Sequence, residues 1–166
     1  MAINHPKAGP NSVPAYQLSG IPFVTSSISL TEVPNSAGGA ATGPIKISFP
    51  YVTKFFTVRN TGANELRVAF SFTGSYDPGT TVKGGGAVPS TNSFGRNYFL
   101  IPTGSGGADA VNSVQTFDIR CKDVFLLGNG GTTGFSLLAG LTTISRDQFP
   151  ILTGSVNGVT GFEGIG

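Results

Sequence analysis

Residues 51–72, YVTKFFTVRNTGANELRVAFSF, decide the fold class. Apolar and polar side chains alternate through residues 51–59 and again through residues 66–72. Alternation with a period of two predicts β-strands, because successive side chains of a strand point to opposite faces of the sheet. The run NTGANE, residues 60–65, has the residue types of a turn. The two strands are therefore predicted to form a β-hairpin.

The same pattern predicts further short strands along the chain. They cover residues 28–33, 45–49, 97–101, 114–127 and 135–144, and the stretch 114–127 holds one or two of them. The run GNGGTTG, residues 128–134, predicts a turn that closes a second hairpin. Residues 74–95 contain too many glycines and prolines for an element and are predicted to be a long surface loop. No helix is expected beyond one turn at residues 145–149.

About seven or eight short strands separated by turns predict an all-β protein, a single antiparallel jelly-roll sandwich. An immunoglobulin-like sandwich is the alternative. The inward-facing side chains are expected to form the core. They are Phe56, Val58, Val68, Phe70, Ile119 and Leu137.

The length of 166 residues predicts one domain with two terminal extensions. Residues 1–20 contain three prolines and are expected to be an extended N-terminal arm. Residues 21–153 form the predicted jelly-roll domain, and residues 154–166 a glycine-rich C-terminal tail. Both extensions hold apolar residues that a neighbouring chain could cover, so they are expected to matter more for assembly than for folding.

The composition excludes several classes of protein. The 25 glycines and 11 prolines argue against a helix bundle. Charged residues make up only 11% of the chain, the net charge is +2, and the basic residues are scattered, so no patch that binds nucleic acid directly is expected. No apolar run is long enough for a membrane span or a signal peptide. A surface with so few charges is poorly protected against association, which predicts a protein covered by neighbours.

The candidate chemical groups favour a structural role over an enzyme. His5 has no carboxylate or serine at a useful spacing, and Cys121 is expected to be a small core residue. Asp118 and Asp123 flank Arg120 and Lys122 and are expected to pair with neighbouring cations rather than bind a metal. The glycine runs at residues 84–86 and 128–131 lack the residues of a phosphate-binding loop. No catalytic, cofactor-binding or metal-binding residue is predicted, and no cofactor.

Seven aromatic residues are expected to fill the core and the interfaces rather than to stack on bases, because no basic groove surrounds them. They are Phe55, Phe56, Phe70, Phe72, Phe94, Tyr98 and Phe99. Tyr76 and Phe94, in the predicted long loop, give modest support to a carbohydrate-binding β-sandwich. A metal-dependent enzyme on a cupin-like barrel is excluded, because it would need a histidine cluster and the chain has one histidine.

Four blocks in order carry a family resemblance. They are FPYVTKFFTVRNTGANELRVAFS (49–71), NYFLIPTGSG (97–106), DIRCKDVFLLG (118–128) and FSLLAGLTTISRDQFPILTGS (135–155). The chain resembles the penton-type, single jelly-roll capsid proteins of large icosahedral DNA viruses. The resemblance implies no catalytic residues.

The resemblance implies a structural capsid protein that closes the fivefold vertices of the virion as a homopentamer. Its partners would be other copies of itself, a major capsid protein and other minor capsid proteins. It would be synthesised in the host cytoplasm. The alternatives are a minor capsid protein that cements neighbouring capsomers, and the carbohydrate-binding module.

Overall fold

The computed structural model describes residues 21–30, 43–76, 97–104, 112–149, 155–156 and 159–160. These residues form ten β-strands and two 3₁₀ turns of three residues each, at Thr73–Ser75 and Arg146–Gln148. The strands are β1 (Ile21–Leu30), β2 (Ile45–Ser48), β3 (Tyr51–Asn60), β4 (Glu65–Ala69), β5 (Tyr98–Ile101), β6 (Val114–Phe117), β7 (Asp123–Asn129), β8 (Thr133–Ser145), β9 (Ser155–Val156) and β10 (Val159–Thr160).

Eight of these strands form two antiparallel sheets of four. The first sheet has the order β1-β8-β3-β6, and the second has the order β2-β7-β4-β5. Strand pairing is nested: β1 pairs with β8, β2 with β7, β3 with β6 and β4 with β5. Further pairs, β3 with β8 and β4 with β7, complete the sheets. The chain therefore runs as one long hairpin rolled into two layers.

The core lies between the two sheets, as the predicted sandwich requires. Phe56, Val58 and Leu137 of the first sheet and Leu66 and Val68 of the second belong to one buried cluster. Two residues expected in the core, Phe70 and Ile119, are only half-buried. Both follow the ends of strands, where alternation no longer fixes the side chain. The all-β antiparallel sandwich is confirmed.

Both predicted hairpins are wrong. β3 and β4 lie in different sheets, and so do β7 and β8. Turn residues can reverse the chain within a hairpin, and they can equally form a corner between two sheets. Here they form corners, because the two strands on either side of each turn contribute apolar side chains to the core from opposite sheets. The immunoglobulin-like alternative also differs from the structure, because its first two strands are neighbours in one sheet, whereas β1 and β2 lie in different sheets.

Asn60, which is fully buried, holds these corners together. Its Nδ2 donates hydrogen bonds to the carbonyl oxygens of Asn64 and Pro102, both at 2.8 Å. Its Oδ1 accepts from the amide of Gly62 at 3.0 Å and from the hydroxyl of Thr133 at 2.8 Å. One side chain thus connects the β3–β4 corner, the start of β8 and the end of β5, and satisfies groups that burial would otherwise leave unpaired.

Several strand limits differ from the predictions. The strand predicted at residues 28–33 belongs to a longer strand, Ile21–Leu30, and its last three positions lie outside the described residues. The predicted tail contains a pair of two-residue strands, β9 and β10, which the sequence pattern did not suggest. Residues 1–20, the predicted arm, lie outside the described residues.

Candidate assembly surface

Cys121 is a core residue, as the sequence predicts. It is fully buried, and its Sγ lies 3.4 Å from the hydroxyl oxygen of Thr53. Burial raises the pKa of the Cys121 thiol to about 12, because the thiolate would lose its hydration. The thiol therefore stays protonated at neutral pH and is no nucleophile there. His5 lies outside the described residues.

Asp123 pairs with cations, as the sequence analysis expects. Its carboxylate is buried and lies 3.5 Å from Nζ of Lys46 on β2 and 3.2 Å from Nη2 of Arg146. Both partners are distant in sequence, and only the packing of β7 brings them together. Asp118 is exposed. Among the described residues, no three histidine, cysteine or acidic side chains form a group that could hold a metal ion.

Tyr76, which supported the carbohydrate-binding alternative, is buried. It is 3% exposed, its ring packs 5.4 Å from that of Phe72, and its hydroxyl has no hydrogen-bond partner. Burial raises the pKa of Tyr76 to about 12. A buried ring offers no platform for a sugar. Phe94, the second aromatic residue of that argument, lies outside the described residues.

The outer face of the second sheet is covered by the chain itself. Phe125, on β7, is 1% exposed although it points away from the core between the sheets. The ring of Phe72 packs edge-on against it with centroids 6.4 Å apart, and Nζ of Lys46 lies 5.6 Å from its centroid. Residues 70–76, which follow β4, therefore form a cover over this face.

Arg67 fastens the cover to the sheet. Its side chain is 4% exposed, and Nη1 donates to the carbonyl oxygen of Ser75 at 3.2 Å. Nε donates to Oδ1 of Asn129 at 2.9 Å, and the guanidinium lies 4.5 Å from the ring centroid of Tyr98. Buried charge requires such partners, because an unpaired guanidinium inside the protein would be costly.

The outer face of the first sheet is different: among the residues that the structure describes, none buries its central row. This row crosses all four strands through Val24, Leu138, Thr57 and Thr116. Val24 is 71% exposed and Leu138 is 45% exposed. The hydroxyls of Thr57 and Thr116 bond to each other at 2.9 Å.

Two flanking rows extend this surface, which we call the open face. They are Ser26, Ser136, Arg59 and Val114 on one side, and Pro22, Gly140 and Phe55 on the other. Arg59 is the only charged residue in the three rows. The outward positions of a solvated antiparallel sheet are normally polar. Here an apolar and hydroxyl surface almost without charge can be desolvated at small cost, which suits contact with another protein.

No protein-family model, curated protein or solved structure matches the chain. No helix of the described residues is long and apolar enough to cross a membrane. Sequence reasoning anticipated a surface poor in charge but did not locate it. The signal was present as three small, apolar or hydroxyl residues at alternate positions of each of the ranges 22–26 and 136–140. Assigning these residues to the outer face required knowledge of which positions face the core.

Proposed function

We propose that this protein is a structural capsid subunit of the jelly-roll type, which closes the fivefold vertices of an icosahedral virion as a homopentamer. In this role each copy contacts itself around the axis and a major capsid protein outside it. No catalytic step is involved.

The proposal rests mainly on one observation, the nested order of the strands. Pairing of β1 with β8, β2 with β7, β3 with β6 and β4 with β5 is the order produced when a single long hairpin is rolled up. This order is typical of the jelly roll, an eight-stranded double sheet found in viral capsid and lectin domains. The ordered sequence blocks that resemble penton-type proteins favour the capsid role over the lectin role.

The open face supports the same role. A subunit of a closed ring must bury one surface against a neighbouring copy. The open face, with Val24 and Leu138 at its centre and Arg59 as its one charge, is the most suitable surface among the described residues. We assign it to the contact with the adjacent copy in the ring.

Native mass spectrometry of the purified full-length chain tests the oligomer. Five copies per complex are expected at low micromolar concentration.

A particle reconstruction then tests the position: density for this fold should lie at the fivefold axes. Density found only between capsomers, with another protein at the vertices, would replace the penton role by that of a cementing capsid protein. A stable monomer that enters no particle would overturn the capsid proposal.

A matched pair of variants tests the open face. Leu138→Asp places a charge in its centre and should shift the complex to monomers without unfolding it, since burying an unpaired charge is costly. Ala63→Asp places the same charge on an exposed residue of the β3–β4 corner, outside the open face, and should leave the complex intact. Loss of assembly in both variants, or in neither, would show that the open face is not the contact.

A further inference from the structure

The chain contains two Asn–Gly pairs, Asn129–Gly130 and Asn157–Gly158, of which only the first lies in the described residues. Such pairs are prone to deamidation because glycine has no side chain to obstruct the reaction. The amide nitrogen of the glycine loses its proton and attacks Cγ of the asparagine, and the Cγ–Nδ2 bond breaks to release ammonia. Water then opens the resulting succinimide to aspartate or isoaspartate.

Asn129 stands at a position where this reaction would be expected. It is the last residue of β7, and Gly130 begins the connection to β8 with φ +74°. Gly130 is exposed, and nothing lies within 4 Å of where its Cβ would be. Gly130 lies outside both strands, and no neighbouring atom crowds the side-chain position of this glycine.

The side-chain amide of Asn129 is held on both of its polar atoms. Oδ1 accepts hydrogen bonds from Nε of Arg67 at 2.9 Å and from Nη2 of the same guanidinium. Nδ2 donates to Oε2 of Glu65 at 2.6 Å. An arginine only donates and an ionised carboxylate only accepts, so the two partners also fix which end of the amide is oxygen.

The two clamping residues are themselves fixed. Glu65 lies directly opposite Asn129 in the β4–β7 register. Arg67 is buried, donates to the carbonyl oxygen of Ser75 and stacks over Tyr98. The clamp is therefore part of the packed outer layer of the second sheet and does not depend on a mobile surface pair.

We propose that Arg67 and Glu65 form a clamp that protects Asn129 from deamidation. Attack requires Cγ to swing toward the amide nitrogen of Gly130, to roughly 3–3.5 Å. That rotation would break the charge-assisted bonds at both ends of the amide. Hydrogen bonding from Arg67 also polarises the Cγ carbonyl, which by itself would favour attack. The clamp protects because this polarised carbonyl is held in one rotamer by bonds that attack would have to break.

Protection here has a structural consequence. Isoaspartate would add one carbon to the backbone at the β7–β8 corner, close to Thr133, which bonds to the buried Asn60. Aspartate would place a carboxylate where Asn129 now donates to Glu65. Either product would disturb a corner that positions both sheets. The inference does not depend on the proposed function.

Peptide mapping by mass spectrometry tests the clamp. Full-length protein is incubated in mildly alkaline buffer, either folded or unfolded in urea, and deamidation of Asn129 is followed over time. Asn157, in the second Asn–Gly pair, is followed in the same samples for comparison. Folded wild type should deamidate at Asn129 about tenfold or more slowly than unfolded wild type, because one hydrogen bond to a charged group is worth at least that factor. Equal rates would overturn the proposal.

Two variants separate the clamp from general stability. Glu65→Ala removes the acceptor of Nδ2 and should raise the folded-state rate at Asn129 several-fold, while the unfolded-state rate stays unchanged. Asp123→Ala weakens the same strand at its other end without touching the clamp and should leave the folded-state rate at Asn129 low. A rise of equal size in both variants, or a fall in Glu65→Ala, would show that the clamp does not protect.

Discussion

The two sheets of the sandwich both carry apolar side chains on their outer faces, but the described residues cover only one of them. On the second sheet, Phe125 is buried beneath residues 70–76, and Arg67 fastens that cover. On the first sheet, the central row through Val24 and Leu138 remains exposed. One face is thus part of the monomer's packing, whereas the central row of the other is exposed.

The difference shows how similar outward residues acquire different roles. A strand pattern marks a residue only as inward or outward. Whether an outward apolar residue stabilises the monomer depends on a segment from elsewhere in the chain, here the residues after β4. The same chemistry without a cover stabilises nothing until another molecule arrives.

Truncation of the covered face should have the largest effect. Phe125→Ala is expected to lower the free energy of unfolding by about 3–5 kcal/mol, because it removes a fully buried ring and leaves a cavity. Leu138→Ala, on the open face, should cost less than about 1 kcal/mol. Urea denaturation of both variants measures the contrast. Similar losses would mean that the two faces are equally covered.

The ion pairs of Asp123 with Lys46 and Arg146 should have the next largest effect on the free energy of unfolding. Asp123→Asn removes the charge between Lys46 and Arg146 and should cost about 1–3 kcal/mol, because the carboxylate is buried and hydrogen-bonded. Asp147→Asn, which changes an exposed residue, should stay within about 0.5 kcal/mol. Urea denaturation at low and high salt checks both values. If Asp123→Asn is as mild as its control, the pairing contributes nothing.

Tyr76→Phe should change the free energy of unfolding by a smaller amount and in the opposite direction. It removes a buried hydroxyl without a hydrogen-bond partner, so the variant should be as stable as wild type or more stable by up to about 1 kcal/mol. Because folding raises the pKa of Tyr76 from 10.0 to about 12, the unfolded chain ionises first, so the free energy of unfolding is unaffected by this group below pH 10 and falls as the pH rises toward 12.

Thermal unfolding across this pH range checks the prediction. Wild type should lose more stability than Tyr76→Phe between pH 10 and 12. The raised pKa of Cys121 adds the same alkaline loss to both proteins, so the difference isolates Tyr76. Tyr51→Phe, at an exposed tyrosine, serves as the control. Identical pH profiles for wild type and Tyr76→Phe would show that the hydroxyl is hydrated.

The smallest effect on stability is expected on the open face. Val24→Ser should change the free energy of unfolding by no more than about 0.5 kcal/mol, because the side chain is largely exposed in the monomer. If this face meets a neighbouring copy, the same substitution weakens the complex, which dilution followed by size-exclusion chromatography measures. A loss of stability in the monomer would mean that the face is already covered.

The sequence predicted the strands well because their signal is local. β3, β5 and β8 follow period-two runs that can be found without knowing any partner. The pairing of strands was not predictable from the same signal. Residues 60–65 and 128–134 have turn chemistry, but such residues serve a hairpin and a corner equally. Asp123 illustrates the same limit, since its partners Lys46 and Arg146 are far away in sequence.

By itself, the sequence determined the strand-forming segments, the absence of long helices among the described residues and the scarcity of charge. These are properties of neighbouring residues and of composition. Only the tertiary structure decided which strands share a sheet, how Asn60 joins the corners, and which outer face is covered. The physical reason is that burial and hydrogen bonding depend on groups that meet in space, so the exposure of each face depends on what the rest of the chain places upon it.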